Sequence, residues 1–342
     1  MREKSSSGLY LSIWILSVGI VPVLASLADA QAWVPAKGEG DYSIVYQNLY
    51  TRDHLDPEGN KVDAGRVRLQ GVIQAVDFGL TDKLSVTGML PLFAGKFAAG
   101  QFGKPHLLPI DNGNYHGGLQ DFRLAVRYQV RQRPLALTPF LGISFPGSHY
   151  EHFAHSAIGA DMWELGLGIN AGRRLDPWLP NAYFQARYTY VITENVTIPQ
   201  YGLSIRPDRS RYDGEFGYFL TSRITLRAIA SAQITHGGLD QSAANFPLAQ
   251  RTATDPRWTQ HDRIGRINYV NVGAGVSVPI THSVDAFALY ATKAWAINGH
   301  ALNDGISVGL SWSFRAPWAE KKIYFQEEVR PRAKLNDMKL CH

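Results

Sequence analysis

The last regular stretch of the chain, from Gly305 to Phe314, alternates strictly between two kinds of side chain. The odd positions hold only glycine or serine, and the even positions are apolar: Ile306, Val308, Leu310, Trp312 and Phe314. Successive side chains of a β-strand point to opposite faces of the sheet. The segment therefore predicts a strand with lipid or a protein core against one face and water against the other.

Residues 1–30 have the layout of a secretory signal peptide. Basic residues precede an uncharged run over residues 9–25, and Ala28 and Ala30 form a small-x-small cleavage pattern before Gln31. The uncharged run is shorter than the ~20 residues of a membrane-spanning helix, which argues against a single membrane anchor. We therefore expect an exported chain whose mature part begins at Gln31.

Composition narrows the class of exported protein. Cys341 is the only cysteine, so disulfides cannot hold the monomer together. The mean hydropathy of -0.16 excludes a bundle of apolar membrane helices but suits a barrel, whose strands hide apolar residues in alternation. The formal net charge of +5 comes without a nucleic-acid-binding motif, so we expect no nucleic-acid partner and expect the basic residues to meet anionic lipid.

Alternation with a period of two recurs along the mature chain and predicts about twelve strands. In each strand we expect the apolar set to face lipid. For the second strand this set is Val67, Leu69, Ile73 and Ala75. The strand from Val284 to Ile297 is apolar on both faces, so its lipid-facing side stays open.

The connections between the predicted strands alternate in length. Those after even-numbered strands are short, as at 79–83, and most of those after odd-numbered strands are long, as at 94–117. Short turns at one end and long loops at the other are typical of an up-and-down barrel with its termini in the periplasm, whereas a soluble β-sandwich would not show this asymmetry. We therefore predict an all-β fold in the bacterial outer membrane: a single up-and-down antiparallel transmembrane β-barrel of about 12 strands over residues 31–314, followed by a periplasmic tail over residues 315–342.

Closure of the barrel decides which side chains face the lumen, because an open sheet edge is too costly in hydrocarbon. If the apolar sets face lipid, the predicted lumen-lining residues are Arg66, Arg68, Asp121, Arg123, Arg127, Glu164, Arg187, Arg211, Asp213, Glu215, Arg223 and Arg227. This set is net positive, so a conducting pore should favour anions. Strand neighbours should place Arg187 near Asp213 and Glu215 near Arg227 as a cross-strand ladder.

A family resemblance is carried by the segments 78–85 (FGLTDKLS), 90–92 (LPL) and 117–122 (GGLQDF), together with the terminal strand. With these segments the mature chain resembles the outer-membrane β-barrel family of transporters named for the MetA pathway of phenol degradation. The resemblance implies a passive channel for small, often aromatic, compounds, and it identifies no transported molecule. The chain departs from the family pattern in its tail, since such barrels usually end near the aromatic residue that corresponds to Phe314.

The sequence therefore predicts an outer-membrane channel or transporter for small, aromatic or anionic, molecules, without a cofactor. Its expected partners are the lipid bilayer, lipopolysaccharide, small-molecule solutes and the outer-membrane assembly machinery. A structural or adhesive barrel with a plugged lumen is the first alternative, and the tail 315–342 could supply that plug.

An outer-membrane hydrolase is the second alternative. Ser148, His149, Glu151 and His152 are the only local grouping that combines a nucleophile with a base. His149, His152 and His155 repeat at intervals of three, a spacing that can bind Zn²⁺ or Cu²⁺. Polar side chains of an exposed loop are the simpler interpretation of both patterns, so we predict neither an enzyme nor a metal site.

Overall fold

A computed structural model describes residues 31–62, 65–98, 110–152, 156–242, 244–246 and 255–319. The predicted signal peptide, residues 1–30, and the tail from residue 320 onward lie outside this description. In the described ranges, no helix is long and apolar enough to cross a membrane.

Antiparallel strands account for most of the described residues. In chain order they are β1 (Glu39–Leu55), β2 (Lys61–Val62), β3 (Arg66–Gly79), β4 (Leu84–Ala98), β5 (His116–Leu119), β6 (Asp121–Tyr128), β7 (Ala136–Pro146), β8 (Glu164–Arg174), β9 (Ala182–Thr193), β10 (Val196–Ile198), β11 (Leu203–Ile205), β12 (Arg209–Phe219), β13 (Thr225–Thr235), β14 (Asn268–Pro279), β15 (Val284–Ile297) and β16 (Gly299–Arg315). Two one-turn helices, α1 (Pro256–Thr259) and α2 (His261–Ile264), precede β14.

Twelve of these strands close into one antiparallel barrel, as predicted. They follow each other around the wall in the order β1, β3, β4, β6, β7, β8, β9, β12, β13, β14, β15 and β16. β16 pairs back to β1, from Arg315 opposite Glu39 to Gly299 opposite Leu55. Closure pairs the first and last strands of the described wall, so neither is left as a sheet edge in hydrocarbon. We call the end with the short turns the periplasmic end and the end with the long loops the extracellular end.

The outer face carries the apolar sets that the alternation predicts for most strands. Leu92, Leu124 and Leu167 are between 46% and 50% exposed, and the bilayer would cover them. Trp163 and Trp312 are more than half exposed and lie near opposite ends of the wall. Aromatic side chains at both ends of an apolar band are typical of outer-membrane barrels.

β3 is the exception, and the prediction for its faces was wrong. Val67, Leu69, Ile73 and Ala75 are at most 8% exposed and face the lumen. Pairing places Leu69 opposite the buried Leu49 of β1, on the same inner face. An apolar lumen wall shields these side chains from water just as effectively as lipid does. The apolar character of the set therefore did not determine whether it faces the lumen or the lipid.

The sequence did not decide which side of β15 faces lipid. In the first part of this strand, the even-numbered residues face lipid. Leu289 and Ala291 are buried inside, whereas Tyr290 is 46% exposed on the outer face. A register shift opposite Val270 inserts one residue and returns Trp295 to the outer face.

Candidate functional site: the barrel lumen

The lumen has two chemically different walls, and the first is apolar. It is built by inward side chains of β1, β3 and β4 with additions from β13, β15 and β16: Val45, Leu49, Val67, Leu69, Ile73, Ala75, Met89, Phe93, Phe97, Ile229, Ala291 and Leu302. Ile229 and Val45 belong to this one cluster although three strands separate them around the wall. The apolar side chains therefore extend into the bore and fill part of it.

The second wall is charged and is formed by β6, β8, β9, β12 and β13. Its inward charged residues are Asp121, Arg123, Arg127, Glu164, Arg187, Arg209, Arg211, Asp213, Glu215 and Arg227. The neighbouring inward positions Ala125, Gly142 and Gly166 lie side by side on β6, β7 and β8 and are small. Small residues at these positions leave open space in front of the charges.

Glu164 organises the extracellular half of the charged wall. Its Oε1 accepts a hydrogen bond of 2.6 Å from Arg209 Nη2, and its Oε2 lies 3.3 Å from Arg211 Nη2. The side chains of Glu164 and Arg209 are 12% and 7% exposed. A carboxylate so far removed from water is stable only because guanidinium groups compensate its charge, and in turn it fixes where those groups lie.

The cross-strand ladder predicted from the sequence is present lower in the wall. Asp213 lies directly opposite Arg187 in the register of β12 and β9. Glu215 binds Arg227 Nη2 through Oε2 and accepts a hydrogen bond of 2.6 Å from the Tyr183 hydroxyl through Oε1. These contacts hold the charges of three neighbouring strands in fixed positions.

An open cavity of about 120 Å³ lies against the charged wall. Its charged lining comprises Arg123, Arg187, Arg211, Glu164 and Asp213, and its apolar lining includes Met89, Phe140, Val191 and Tyr269. The guanidinium carbon of Arg187 is 4.0 Å from the centre of the Phe140 ring. Since a cavity of about 150 Å³ can hold benzene, this space has roughly the size of one small ring.

The first described residues enter the periplasmic end of the lumen, and we call residues 31–34 the plug segment. Ala32 is fully buried and Val34 is 7% exposed. The Ala32 carbonyl accepts hydrogen bonds of 2.6 Å from Thr138 Oγ1 and 3.2 Å from Gln129 Nε2. Gln129 Oε1 in turn accepts a hydrogen bond of 3.1 Å from the Val34 N–H. The plug segment thus narrows the bore at its periplasmic end. This is the end at which we had suggested, from the sequence, that the C-terminal tail could act as a plug.

A buried ion pair between Asp77 and Arg127 lies beside the plug segment, with side chains 5% and 2% exposed. Arg127 also donates a hydrogen bond of 2.8 Å from Nη1 to the Gln31 carbonyl and one of 3.2 Å from Nε to Ser85 Oγ. One arginine therefore joins β3, β4, β6 and the plug segment.

A loop segment narrows the extracellular end. Ser156, Ala157 and Ile158 are at most 4% exposed, and Ile158 packs in the apolar cluster. Ser156 Oγ donates a hydrogen bond of 2.8 Å to Asp111 Oδ1, and the Gln120 side chain binds the Ile158 carbonyl. The bore is therefore narrowed at both ends.

Three residues predicted to line the lumen lie elsewhere. Arg66 and Arg68 are exposed on the outer face of β3, because this strand presents its apolar side to the lumen. Arg223 is exposed in the turn between β12 and β13, beyond the end of the wall. The prediction missed further inward charges, among them Asp77, because of the wrong orientation of β3, and Arg209, which the predicted set omitted although it lies on the same face of β12 as Arg211. With these changes the charges of the lumen nearly balance, so a strongly positive bore no longer follows.

The loop groupings suggested by the sequence do not form a site among the described residues. His149 is exposed, whereas His152 Nδ1 lies 3.0 Å from Asp161 and its Nε2 3.3 Å from Arg263 Nη1, and His155 is outside the described residues. Ser148 Oγ donates to the Leu119 carbonyl at 2.7 Å. Over the described ranges, no group of three or more His, Cys, Asp or Glu side chains could hold a metal ion.

No protein-family model and no curated protein matches the chain. The resemblance to the phenol-degradation family therefore stays a prediction. Among solved structures, the COG4313 outer membrane channel from Pseudomonas putida F1 is similar, with a TM-score of 0.62, 11% sequence identity, and coverage of 83% of this chain and 98% of that chain. This chain folds as an outer-membrane β-barrel.

Two porins are also similar, at lower scores. The NanC porin has a TM-score of 0.46 at 12% identity and covers 79% of this chain and 98% of its own, and the KdgM porin has a TM-score of 0.39 at 7% identity with coverage of 80% and 99%. At these identities the likeness concerns the fold, so any solute has to be argued from the lumen itself.

Proposed function

We propose that this barrel is an outer-membrane channel for small molecules that combine a single apolar ring with an anionic or hydrogen-bonding group, such as aromatic carboxylates. The observation that supports the proposal is the cavity, which sets Arg123, Arg187 and Arg211 beside the apolar surface of Met89 and Phe140. The ring of such a molecule would move out of water and pack against the apolar residues. Its carboxylate would accept charge-assisted hydrogen bonds from the arginines.

The acidic residues of the cavity suit a channel better than a storage site. Glu164 and Asp213 compensate part of the arginine charge, so an anion meets guanidinium groups that already have partners. Conduction requires that a solute is attracted enough to enter and held weakly enough to leave. A small net attraction in a narrow bore meets both conditions.

A structural barrel with a closed lumen is the second candidate, favoured by one observation. The plug segment and residues 156–158 are buried at opposite ends of the bore. Both functions have the same fold and differ in whether solutes pass.

Current through single molecules in a planar bilayer tests the proposal. We expect a small conductance that benzoate interrupts in brief blockades, and that benzylamine, which has the same ring and the opposite charge, interrupts less. Arg187→Gln with Arg211→Gln should shorten the benzoate blockades by roughly tenfold, because two charge-assisted contacts are lost. Arg223→Gln, which removes an arginine outside the lumen, is the matched control. A barrel without conductance would support the structural candidate, and equal blockades by benzoate and benzylamine would refute the solute class.

A further inference from the structure

The outer face of the barrel carries positive charge at the extracellular ends of two neighbouring strands. Arg66 and Arg68 of β3 are exposed there, and Lys96 of β4 is on the same face. We call these three residues the outer cationic patch. Charged side chains on the lipid side of a barrel are tolerated only near the membrane surface, which is where these strands end.

The three cations are close together. Arg68 and Lys96 are direct partners in the register of β3 and β4, which places their Cβ atoms about 4.5–5.5 Å apart. Arg66 is two residues farther along the same face, at about 7 Å from Arg68. Like charges directly opposite each other destabilise a sheet unless an opposite charge lies between them.

Within the described part of the chain, no carboxylate forms an ion pair with the outer cationic patch; Asp304, on the same face opposite Tyr50, instead accepts a hydrogen bond of 2.8 Å from the Tyr290 hydroxyl. Arg68 instead has its guanidinium carbon 5.4 Å from the ring centre of Tyr50, and Lys96 Nζ is 5.5 Å from that of Tyr115. The two cations thus contact different rings. Aromatic faces attract cations only weakly. The arginines of the lumen differ, since Arg127 and Arg227 each bind a carboxylate.

A step of uncharged polar groups lies below the patch on the same face. Asn48 and Gln70 are opposite each other in the register of β1 and β3, and the Tyr46 hydroxyl donates a hydrogen bond of 3.1 Å to Gln70 Oε1. Farther toward the middle of the membrane the face becomes mainly apolar, with Leu92 50% exposed, although Gln74 also lies on it and accepts a hydrogen bond of 2.8 Å from the Tyr42 hydroxyl. From the surface inward, the face therefore carries first cations, then amide and hydroxyl groups, and then a mainly apolar surface.

We propose that this face binds one molecule of phosphorylated glycolipid from the outer leaflet, the lipid A part of lipopolysaccharide. Its phosphate lies among Arg66, Arg68 and Lys96, its sugar and acyl-amide groups contact Asn48 and Gln70, and its acyl chains cover the apolar surface below. A phosphate between the strands removes the repulsion of Arg68 and Lys96, and guanidinium groups bind phosphate in a bidentate manner. A soluble phosphate would use the cations alone, whereas the three successive steps match an amphiphile that stands upright in the leaflet.

Native mass spectrometry of the full mature chain in detergent, with purified lipid A added, tests this site. Diphosphoryl lipid A, monophosphoryl lipid A and phosphatidylglycerol are the probes. The variant Arg66→Gln, Arg68→Gln, Lys96→Gln should retain diphosphoryl lipid A on the order of 100-fold more weakly, since each cation near a charged membrane surface contributes a comparable part of the attraction. The control Lys37→Gln, Lys83→Gln, Arg223→Gln removes three exposed cations at the periplasmic end and should bind like the parent.

Heat modifiability on gels reports whether each variant is a folded barrel. If the triple variant does not fold, Arg68→Lys, which keeps the charge, is tested in its place. Arg68→Lys should weaken lipid A binding by less than the triple variant, because the charge stays and only the bidentate contact is lost. Equal retention of lipid A by the parent and the patch variant would overturn the proposal. Equal binding of phosphatidylglycerol and lipid A by the parent would also overturn it, because the site would then select charge and not the glycolipid.

Discussion

Thr138 of the barrel wall holds Ala32 of the plug segment: its hydroxyl donates a hydrogen bond of 2.6 Å to the Ala32 carbonyl, and both residues are fully buried. Replacing residues 31–34 by a Gly-Ser-Gly-Ser segment removes the side chains that fill the periplasmic end of the bore. We expect a larger single-channel conductance, with the barrel still folded. Thr138→Ser, which keeps the hydroxyl, should leave the conductance unchanged, and an unchanged conductance in the Gly-Ser variant would mean that the plug segment does not limit flow.

The ion pair of Glu215 and Arg227 should contribute strongly to stability. Glu215→Gln leaves Arg227, whose side chain is 13% exposed, without its compensating charge. The free energy of unfolding should fall by about 3 kcal/mol, as for other buried pairs that lose one partner. Urea unfolding followed by tryptophan fluorescence measures this change. The double variant Glu215→Leu, Arg227→Met should recover much of the loss, and a double variant as unstable as Glu215→Gln would contradict the charge argument.

Gly217 provides a steric test of the same wall. A Cβ atom at this position would lie 2.1 Å from the Tyr183 ring, so Gly217→Ala must displace the ring that donates to Glu215. We expect a loss of about 1–3 kcal/mol in the free energy of unfolding, typical of overpacking. Gly214→Ala, on the same strand with no atom within 4 Å of its new Cβ, is the control and should unfold like the parent. If both alanine variants unfold alike, Gly217 is not needed for the position of Tyr183.

His152 should make the extracellular loops sensitive to acid. Burial first, and then the positive charge of Arg263, lower the pKa of His152, while Asp161 acts in the opposite direction. The native pKa therefore lies below the value of about 6.5 expected in an opened loop, so protons bind the opened form more tightly. The contact is intact above pH 6.5 and weakens as the pH falls through the native pKa.

Hydrogen exchange in the loops around His152 measures this effect. Arg263 also donates hydrogen bonds to the Asp161 carbonyl at 3.1 Å and to Glu194 at 2.7 Å, so loosening at His152 should reach the loop after β9. The intrinsic rate of amide exchange itself falls with pH, so the rates are compared as protection factors. We expect lower protection at pH 5 than at pH 7.5 in the parent and a much smaller difference in His152→Phe. Equal acid sensitivity of parent and variant would assign the effect to other groups.

The sequence predicted the barrel because its signals are local. The alternation in β16 and the short turns need no knowledge of distant residues, and hairpin neighbours such as Arg187 and Asp213 follow from strand order. The orientation of β3 does not follow in this way, since lipid and an apolar lumen wall attract the same side chains. Val67 is buried by Phe97 and its neighbours on other strands, a contact that only the register reveals. The two walls of the lumen and the cavity between them could therefore not be predicted from the alternation of residues along the chain.

The plug segment also has a consequence for the order of assembly. The partners of Ala32 lie far along the chain: Gln129, Thr138 and Gln185 follow it by 97, 106 and 153 residues. Contacts between such distant residues form late, because the long intervening chain must first be ordered. The plug segment precedes every strand of the wall in the sequence and yet reaches its place only after β9 has joined the wall. We therefore expect each molecule to pass through a state in which β9 is part of the wall and the plug segment is not yet bound, and a bulky fusion at Gln31 to hold it in that state.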